Sequence, residues 1–386
     1  MQERQKIPMN TPTHVSWEQD GTTHKALFSS SNAAKPPTRV HAVDDTLTAL
    51  EAHKMAAQGV GMLWTGDYHN ARQLLSAMGR RTPDAAKSKR RRADESTAER
   101  FYKYRQARTQ RSRMLSMLMV PVVPGAVVPL RRAPDISEAW HNAFGEVSEA
   151  TVVPLQELLG AVGAQQWRSN GLFVPALDAK IHPHYGTFAP VRGEYLDLVA
   201  QAQLPGADTA FDIGTGTGVL AGILAKRGVQ KVLGTDSQAR AIECANETFR
   251  ALGLSDQASA VLCDMFPEGR ASLIVCNPPW LPGTPQTLLD YAVYDPKSRM
   301  LREFLRGLPE HLNPDGEGWL VISDLAERLG LRSREELLGW IAEAGLEVLG
   351  RSDTRPTHSR SADTSDPFHA ERSAEITSLW RLRVRS

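Results

Sequence analysis

Cysteine is scarce in this chain and is not arranged in pairs. The 386 residues contain three cysteines, Cys244, Cys263 and Cys276, and all three fall within predicted helix or strand. Disulfide-held secreted domains and small zinc modules need regularly spaced cysteines, so the sequence disfavours both classes. His182 and His184 form an isolated His-x-His pair without further nearby ligands, so we predict no metal. These features predict a reduced, cytoplasmic protein.

Long hydrophobic runs are also missing. The first six residues are polar or charged and lead into no apolar core, which predicts the absence of a secretory signal. The most apolar stretch, residues 114–130, is interrupted by three prolines and a glycine. It is too short to cross a bilayer, and we expect it to form buried strands and turns.

An overall excess of one charge is absent as well, because the formal net charge is only +1. Positive charge is nevertheless concentrated locally: residues 80–113 hold 13 Lys or Arg against four Asp or Glu, a local net charge of +9. With Phe101, Tyr102 and Tyr104 interleaved, this basic segment is predicted to contact phosphates and stack on bases of RNA or DNA. A solvated linker is the alternative, since charge runs usually are solvated.

The chain is long enough for two or three domains, and its apolar content of 41% suffices for a large core. Residues 1–37 are polar and are predicted to be a disordered arm. Residues 38–180 are predicted to form a mainly helical accessory region for substrate recognition, in which residues 43–78 supply two or three helices around a turn near Gly66. Residues 181–386 alternate strands and helices and are predicted to be the catalytic α/β domain.

A glycine-rich turn lies at the start of that domain. The predicted strand 209–213 runs into three glycines at alternate positions and then into a predicted helix, residues 219–227, so a ligand can approach the backbone closely. The loop alone also fits the fingerprint of nicotinamide-dependent dehydrogenases, so at this point both enzyme classes remain open. The residues that define the turn are Asp212, Gly214, Gly216 and Gly218.

Two further acids end predicted strands downstream. Asp236 closes the strand 231–236, about twenty residues beyond the glycines, where a carboxylate suits a ribose diol. Asp264 follows the strand 258–263 and is placed to accept from an adenine amine. Each has a structural alternative, because acids also cap helices and start turns.

The sequence Asn277-Pro278-Pro279-Trp280 closes the apolar run 271–276. An amide or nucleobase amine is a poor nucleophile because its lone pair is delocalised, so a catalyst must hold its N–H groups and aim the lone pair. The side-chain oxygen of Asn277 and the backbone oxygen of Pro278 are suitable acceptors, Pro279 stiffens the turn, and Trp280 offers a flat face for stacking. The alternative is a strand-breaking turn with a core tryptophan.

Together, the glycine loop and the Asn-Pro-Pro-Trp turn resemble the class I S-adenosylmethionine-dependent methyltransferases, specifically their small-domain group with an Asn-Pro-Pro-aromatic motif. The resemblance covers residues 180–386 and implies a doubly wound, mostly parallel seven-stranded Rossmann-like sheet whose last strand is antiparallel. It implies S-adenosyl-L-methionine as cofactor. Residues 184–194 look like the family segment that folds over it, although a valine separates Pro190 from Arg192. The implied cofactor-binding residues are Asp212, Gly214, Gly216, Gly218, Asp236, Asp264 and Asn277, and the implied catalytic turn is Asn277, Pro278, Pro279 and Trp280.

The function expected from the resemblance is N-methylation of a planar nitrogen, with an exocyclic base amine in RNA or DNA as the preferred substrate. A protein glutamine is the alternative, because release-factor glutamine methyltransferases share the turn, usually with tyrosine in the place of Trp280. A non-catalytic binding module with the same fold is the third hypothesis, disfavoured by the intact Asn277 and glycine loop.

Overall fold

A computed structural model describes residues 13–32, 34–82, 95–190, 193–206, 208–356 and 363–385. The chain divides into two compact units, which we call the N-terminal unit (residues 1–92 and 102–165) and the C-terminal unit (residues 93–101 and 166–386). The predicted start of the catalytic domain at residue 181 therefore lies fifteen residues after the second boundary. Within the described part of the chain, no helix combines the length and apolar character needed to cross a membrane.

The N-terminal unit is built on a six-stranded mixed sheet. Its strands are β1 (Thr13–Gln19), β2 (Thr22–Phe28), β3 (Arg39–Val43), β4 (Val60–Trp64), β5 (Leu118–Val122) and β6 (Thr151–Pro154), in the order β1-β2-β6-β5-β4-β3. The β1–β2 and β5–β6 pairs are antiparallel and the others are parallel. Its helices are α1 (Ala49–Ala57), α2 (Tyr68–Arg81), α3 (Thr97–Leu115), α4 (Ser137–Phe144) and α5 (Leu155–Asn170), of which α3 and α5 continue across the unit boundaries.

The helices predicted for the accessory region are present as α1 to α5, and a strand that was not predicted lies among them: the apolar run Val60–Trp64 is a fully buried strand between α1 and α2. The arm predicted as disordered over residues 1–37 contains the hairpin of β1 and β2, while residues 1–12 lie outside the described part. Asp20 and Gly21 make its two-residue turn with φ of 50° and 75°, the backbone that a tight hairpin turn requires.

The C-terminal unit carries the remaining elements. Its helices are α6 (Glu194–Gln201), α7 (Val219–Lys226), α8 (Ala239–Ala251), α9 (Arg299–His311), α10 (Leu325–Arg328), α11 (Arg334–Glu343) and α12 (His369–Ser373), with short 3-10 turns at Pro175–Leu177, Leu289–Ala292 and Pro296–Ser298. Its strands are β7 (Leu172–Val174), β8 (Ala179–Ile181), β9 (Thr209–Ile213), β10 (Lys231–Asp236), β11 (Ala258–Leu262), β12 (Ala271–Cys276), β13 (Leu281–Pro282), β14 (Tyr294–Asp295), β15 (Leu312–Ser323), β16 (Leu346–Thr354) and β17 (Thr377–Val384).

The main sheet of this unit has seven strands in the order β11-β10-β9-β12-β15-β17-β16. Only β17 runs antiparallel to its neighbours, so the expected doubly wound, mostly parallel sheet is confirmed. Successive residues of β9 enter opposite core layers: Ala210 packs with Leu224 of α7, whereas Phe211 packs with Phe304 of α9. Helices therefore cover both faces, and the carboxyl edge of the parallel strands is left for function.

Candidate active site at the carboxyl ends of the central strands

The glycine turn and the Asn-Pro-Pro-Trp turn lie side by side at that edge. Strands β9 and β12 are neighbours, and Ile213 at the end of β9 pairs with Cys276 at the end of β12. Gly214 and Asn277 therefore follow paired positions of adjacent parallel strands. The structure thus brings together the two motifs that are 63 residues apart in the chain.

The three glycines serve different purposes. Gly214, Gly216 and Gly218 all have positive φ, at 73°, 56° and 78°. A Cβ added at Gly214 would lie 2.5 Å from the Met300 side chain, and one at Gly218 would lie 2.8 Å from the Phe249 ring, so these two glycines permit close chain packing. A Cβ at Gly216 would meet no described atom within 4 Å. Gly216 is therefore where a ligand has room to approach the backbone.

Asp212 is a buried carboxylate in which only one of the two oxygens accepts hydrogen bonds from described residues. Its Oδ2 accepts hydrogen bonds from Thr215 Oγ1 at 2.7 Å and from the Ala221 backbone N–H at 3.1 Å. Its Oδ1 is buried and has no hydrogen-bond partner among the described residues. Burial raises the pKa of Asp212 to about 6, and the two hydrogen bonds oppose that rise. The carboxylate is consequently charged at neutral pH, with one oxygen left to receive a cation or donor.

Asp236, at the end of β10, links the glycine turn to α8. Its Oδ2 accepts from the Gly216 backbone N–H at 3.2 Å, and its Oδ1 accepts from the Gln238 N–H at 2.9 Å. Burial raises the pKa of Asp236, opposed by these backbone hydrogen bonds. Asp236 thus starts the turn before α8, as the structural alternative predicted, and it also lies beside Gly216, the glycine that a ligand can approach. Its contact with ribose stays a prediction.

Asp264 is mostly exposed and is held by an arginine that sequence reasoning missed. Both terminal nitrogens of Arg299 lie 3.3 Å from the Asp264 carboxylate, and the same guanidinium contacts Glu303 at 2.7 Å. The carboxylate is close enough to Asp236 for its charge to raise the pKa of that residue. The structure therefore assigns Asp264 an ion pair, and its contact with adenine stays a prediction.

Asn277 has a fixed side-chain orientation. Its Oδ1 accepts a hydrogen bond from Trp280 Nε1 at 2.8 Å, and its side chain also hydrogen-bonds the hydroxyl of Tyr195, a buried residue of α6. The two rings pack edge to face, 6.4 Å apart at 83°. Because the indole N–H marks the oxygen side of the amide, Asn277 presents its second lone pair in a defined direction. Pro278 is buried and Pro279 is half-buried.

Trp280 has contacts that were not predicted: its indole N–H donates to Asn277, and its ring packs against the core layer of α9. Its stacking on a substrate stays a prediction. Tyr195 was not predicted at all. Burial raises the pKa of Tyr195, as does the neighbouring Asp212 charge, while the hydrogen bond with Asn277 opposes the rise, so the tyrosine is a neutral hydrogen-bonding group. No sequence motif marks Tyr195, because only the tertiary fold brings α6 to the turn.

The segment predicted to cover the cofactor is anchored on α8 and on the loop after Trp280. A Cβ at Gly186 would lie 3.0 Å from Leu288 and 3.2 Å from Arg240 Nη1. Arg240 Nη1 donates to the Tyr185 carbonyl at 3.0 Å, and His184 contacts Glu247 at 2.6 Å. The segment therefore lies between α8 and that loop. Arg192 lies outside the described residues.

Asp295 is a second residue near the carboxyl edge of the sheet that the sequence analysis did not predict. Its buried carboxylate accepts from the backbone N–H groups of Met300 and Leu301, at 3.0 and 3.1 Å, and so satisfies the first turn of α9. Burial raises its pKa, and the hydrogen bonds oppose that rise. The Asp295-Pro296 dipeptide was an available turn signal. By fixing the start of α9, Asp295 also positions Arg299.

The aromatic content of the basic segment differs from expectation. Phe101 is buried and packs edge to face on Phe368, 5.6 Å away within the C-terminal unit, so it is not available to stack on a base. Tyr102 is exposed, and the Tyr104 ring lies 5.7 Å from the Arg108 guanidinium. Residues 83–94, including the four consecutive basic residues 89–92, lie outside the described part of the chain.

Residues 197–333 match the model of the family described as the methyltransferase small domain. The matched range contains the glycine turn, Asp236, Asp264 and the Asn277 turn. This match confirms the resemblance to the small-domain methyltransferases, a family that uses S-adenosylmethionine.

A relative from Methanocaldococcus jannaschii, assigned as a protein N5-glutamine methyltransferase, is 25% identical over 178 residues, which cover 44% of this chain and 88% of that protein. Among solved structures, a ribosomal protein L11 methylase from Lactobacillus delbrueckii subsp. bulgaricus is 19% identical with a TM-score of 0.35, covering 49% of this chain and 76% of its own. A methyltransferase from Thiobacillus denitrificans with S-adenosyl-L-homocysteine is 14% identical with a TM-score of 0.37, covering 51% and 92%.

The residues present fit this cofactor. The unpartnered Asp212 Oδ1 is a buried acceptor suited to an ammonium group, and the open space at Gly216 admits a ligand against the backbone. Asp236 lies next to Gly216, where a carboxylate suits hydroxyl groups. The donor and acceptor set therefore agrees with a positively charged nucleoside ligand.

Proposed function

We propose that this chain, an S-adenosylmethionine-dependent methyltransferase, transfers the methyl group to a planar amide or amino nitrogen held by Asn277 and the Pro278 carbonyl. The observation that carries the proposal is the orientation of Asn277. Its oxygen is fixed by Trp280 Nε1 at 2.8 Å, on a turn that adjoins the glycine loop across β9 and β12. A pre-oriented acceptor beside a cofactor loop is what transfer to a weak nitrogen nucleophile requires.

The chemistry needs no general base of unusual strength. S-adenosylmethionine supplies, when bound, an electrophilic methyl on a sulfonium sulfur. The Asn277 oxygen and the Pro278 carbonyl accept the two N–H groups of the substrate, which turns the nitrogen lone pair out of conjugation and aims it at the methyl. A C–N bond forms as the C–S bond breaks, and the nitrogen then releases one proton to water. Tyr195 stays neutral throughout, because its pKa is raised by burial.

Two substrate classes follow from different observations. A protein glutamine is favoured by the relative assigned as a glutamine N5-methyltransferase. An exocyclic amine of an RNA or DNA base is favoured by the net charge of +9 over residues 80–113. The cytoplasmic location stays a prediction that rests on the three unpaired cysteines.

The test compares Asn277→Ala with Asn313→Ala, a matched control because Asn313 lies at the opposite end of the sheet, near the start of β15. Each protein is incubated with S-adenosylmethionine that carries a labelled methyl group and with RNA, DNA or a protein extract, and the label transferred to each is measured. Cofactor binding is measured by calorimetry. We expect Asn277→Ala to keep cofactor affinity and to lose roughly 100-fold or more in turnover, as loss of a transition-state hydrogen bond does. Asn313→Ala should change neither.

Unchanged turnover of Asn277→Ala would reject the assigned role of the amide. Absence of cofactor binding by the unmodified protein would reject the enzyme class itself. The fraction that takes the label decides between the glutamine and the base amine. A non-catalytic binding module is the remaining alternative; it would bind cofactor and label none of the three.

A further inference from the structure

The N-terminal unit has an open cavity of about 590 Å³ on the exposed side of α2. Five of its lining residues are polar side chains that share one face of that helix: His69, Arg72, Gln73, Ser76 and Arg80. Leu75 and Leu159 of α5 add an apolar floor. The cavity thus combines hydrogen-bond donors along one wall with a small apolar surface.

The charge of this wall is entirely positive. Among the described residues that line the cavity, none is Asp or Glu, and α2 itself contains three arginines and no acid. Arg72 and Arg80 are exposed, and within the described part of the chain neither has an ion-pair partner. An ordinary solvated helix face mixes both signs, because neighbouring like charges repel. A helix without any acid is therefore unusual for a face that only meets water.

The chemistry and the extent of this wall favour a phosphate-bearing ligand over a lone carboxylate. Arginine forks match phosphate oxygens, and the leucine floor suits the flat face of a base. Arg72 and Arg80 are eight residues apart, about 12 Å along the helix axis, which corresponds to about three or four nucleotides of a strand.

We propose that this cavity is a phosphate-binding site through which the N-terminal unit engages single-stranded nucleic acid. If the bound nucleic acid is also the methylated substrate, it specifies the substrate class of the proposed methyl transfer, and this part of the inference rests on the proposed function. Its two arginines hold phosphates about three or four nucleotides apart, while Gln73 and His69 supply further donors.

The test measures binding of a labelled single-stranded RNA to the full chain by fluorescence anisotropy over a series of salt concentrations. The variant is Arg72→Gln with Arg80→Gln, and the matched control is Arg39→Gln, an exposed arginine of β3 that does not line the cavity. We expect the double variant to bind roughly tenfold more weakly, as for loss of two exposed charge contacts. Its plot of log affinity against log salt should be shallower by about 1.4, since each phosphate contact on a single strand contributes about 0.7. The control should match the unmodified protein.

Three results would overturn the proposal. The first is an unchanged affinity and salt slope in the double variant. The second is a polyglutamate peptide that displaces the RNA at equal charge concentration, which would indicate an acidic protein partner. The third is full displacement by millimolar nucleoside monophosphate, which would indicate a free-nucleotide site. Cofactor affinity of the double variant, measured by calorimetry, should be unchanged; failure of the methyl-transfer proposal would instead appear in the Asn277 comparison.

Discussion

Replacing Trp280 by phenylalanine separates the two roles that this side chain can have. Phenylalanine keeps an aromatic face but removes the indole N–H that lies 2.8 Å from Asn277 Oδ1. A half-buried neutral hydrogen bond of this kind contributes about 1 kcal/mol, which corresponds to roughly a fivefold change in the ratio of correctly to wrongly oriented amide. We therefore expect kcat to fall by up to about fivefold, because the wrongly oriented amide presents donors where acceptors are needed.

The assay is single-turnover transfer of labelled methyl at saturating cofactor, with the substrate fraction identified by the labelling experiment. Cofactor affinity should be unchanged, since Trp280 has no contact with the glycine turn among the contacts described. Trp319→Phe is the matched control: its indole N–H donates to Glu317 at 2.8 Å inside the sheet, so this variant should lower the melting temperature and leave kcat intact. If Trp280→Phe retained full activity while Trp280→Ala lost it, the ring face would matter and the hydrogen bond would not, which would refute this reasoning.

Four further predictions concern the cofactor side and Tyr195. Tyr195→Phe should lower kcat about fivefold for the loss of one hydrogen bond to Asn277, and the pH profile of transfer should not gain or lose a limb, because the tyrosine is neutral throughout. Since burial raises the pKa of Asp212 to about 6, the carboxylate is charged above that pH, so calorimetry should show cofactor affinity falling as pH drops through 6, and Asp212→Asn should flatten this dependence. For the same reason this group favours folding of the unliganded protein below its ordinary pKa of 3.8 and stops doing so as pH rises through about 6, which urea titrations can follow. Gly216→Ala should weaken cofactor binding with a modest loss of stability of about 1 kcal/mol for its positive φ, whereas Gly218→Ala should lower the melting temperature more, because its Cβ would meet Phe249.

The sequence was sufficient for the parts of the site that depend on local pattern. The glycine spacing and the buried run before Asn277 predicted two strand ends, and parallel pairing of β9 with β12 follows from the alternation of strands and helices. Tyr195 could not be found this way. Its contact with Asn277 depends on how α6 packs, and nothing within eighty residues of it in the chain marks the turn as its partner.

In the N-terminal unit, less of the structure was predicted from the sequence. The Asp20-Gly21 pair between alternating strands was a readable hairpin signal that the polar composition obscured. Val60–Trp64 is apolar without alternation, because both faces of β4 are buried, and such a run cannot be told from a buried helix by periodicity alone. The role of Arg299 also escaped sequence reasoning, since its pairing with Asp264 spans 35 residues and joins α9 to the loop after β11.

The most direct test of the central claim is the identity of the atom that receives the methyl group. RNA and protein uniformly labelled with nitrogen-15, from the cell that makes this protein, would be treated with the enzyme and carbon-13-methyl S-adenosylmethionine, and the product examined by NMR. We predict a one-bond carbon–nitrogen coupling at the new methyl, present with the unmodified protein and absent with Asn277→Ala. A labelled methyl without that coupling, attached to carbon or oxygen, would contradict the account.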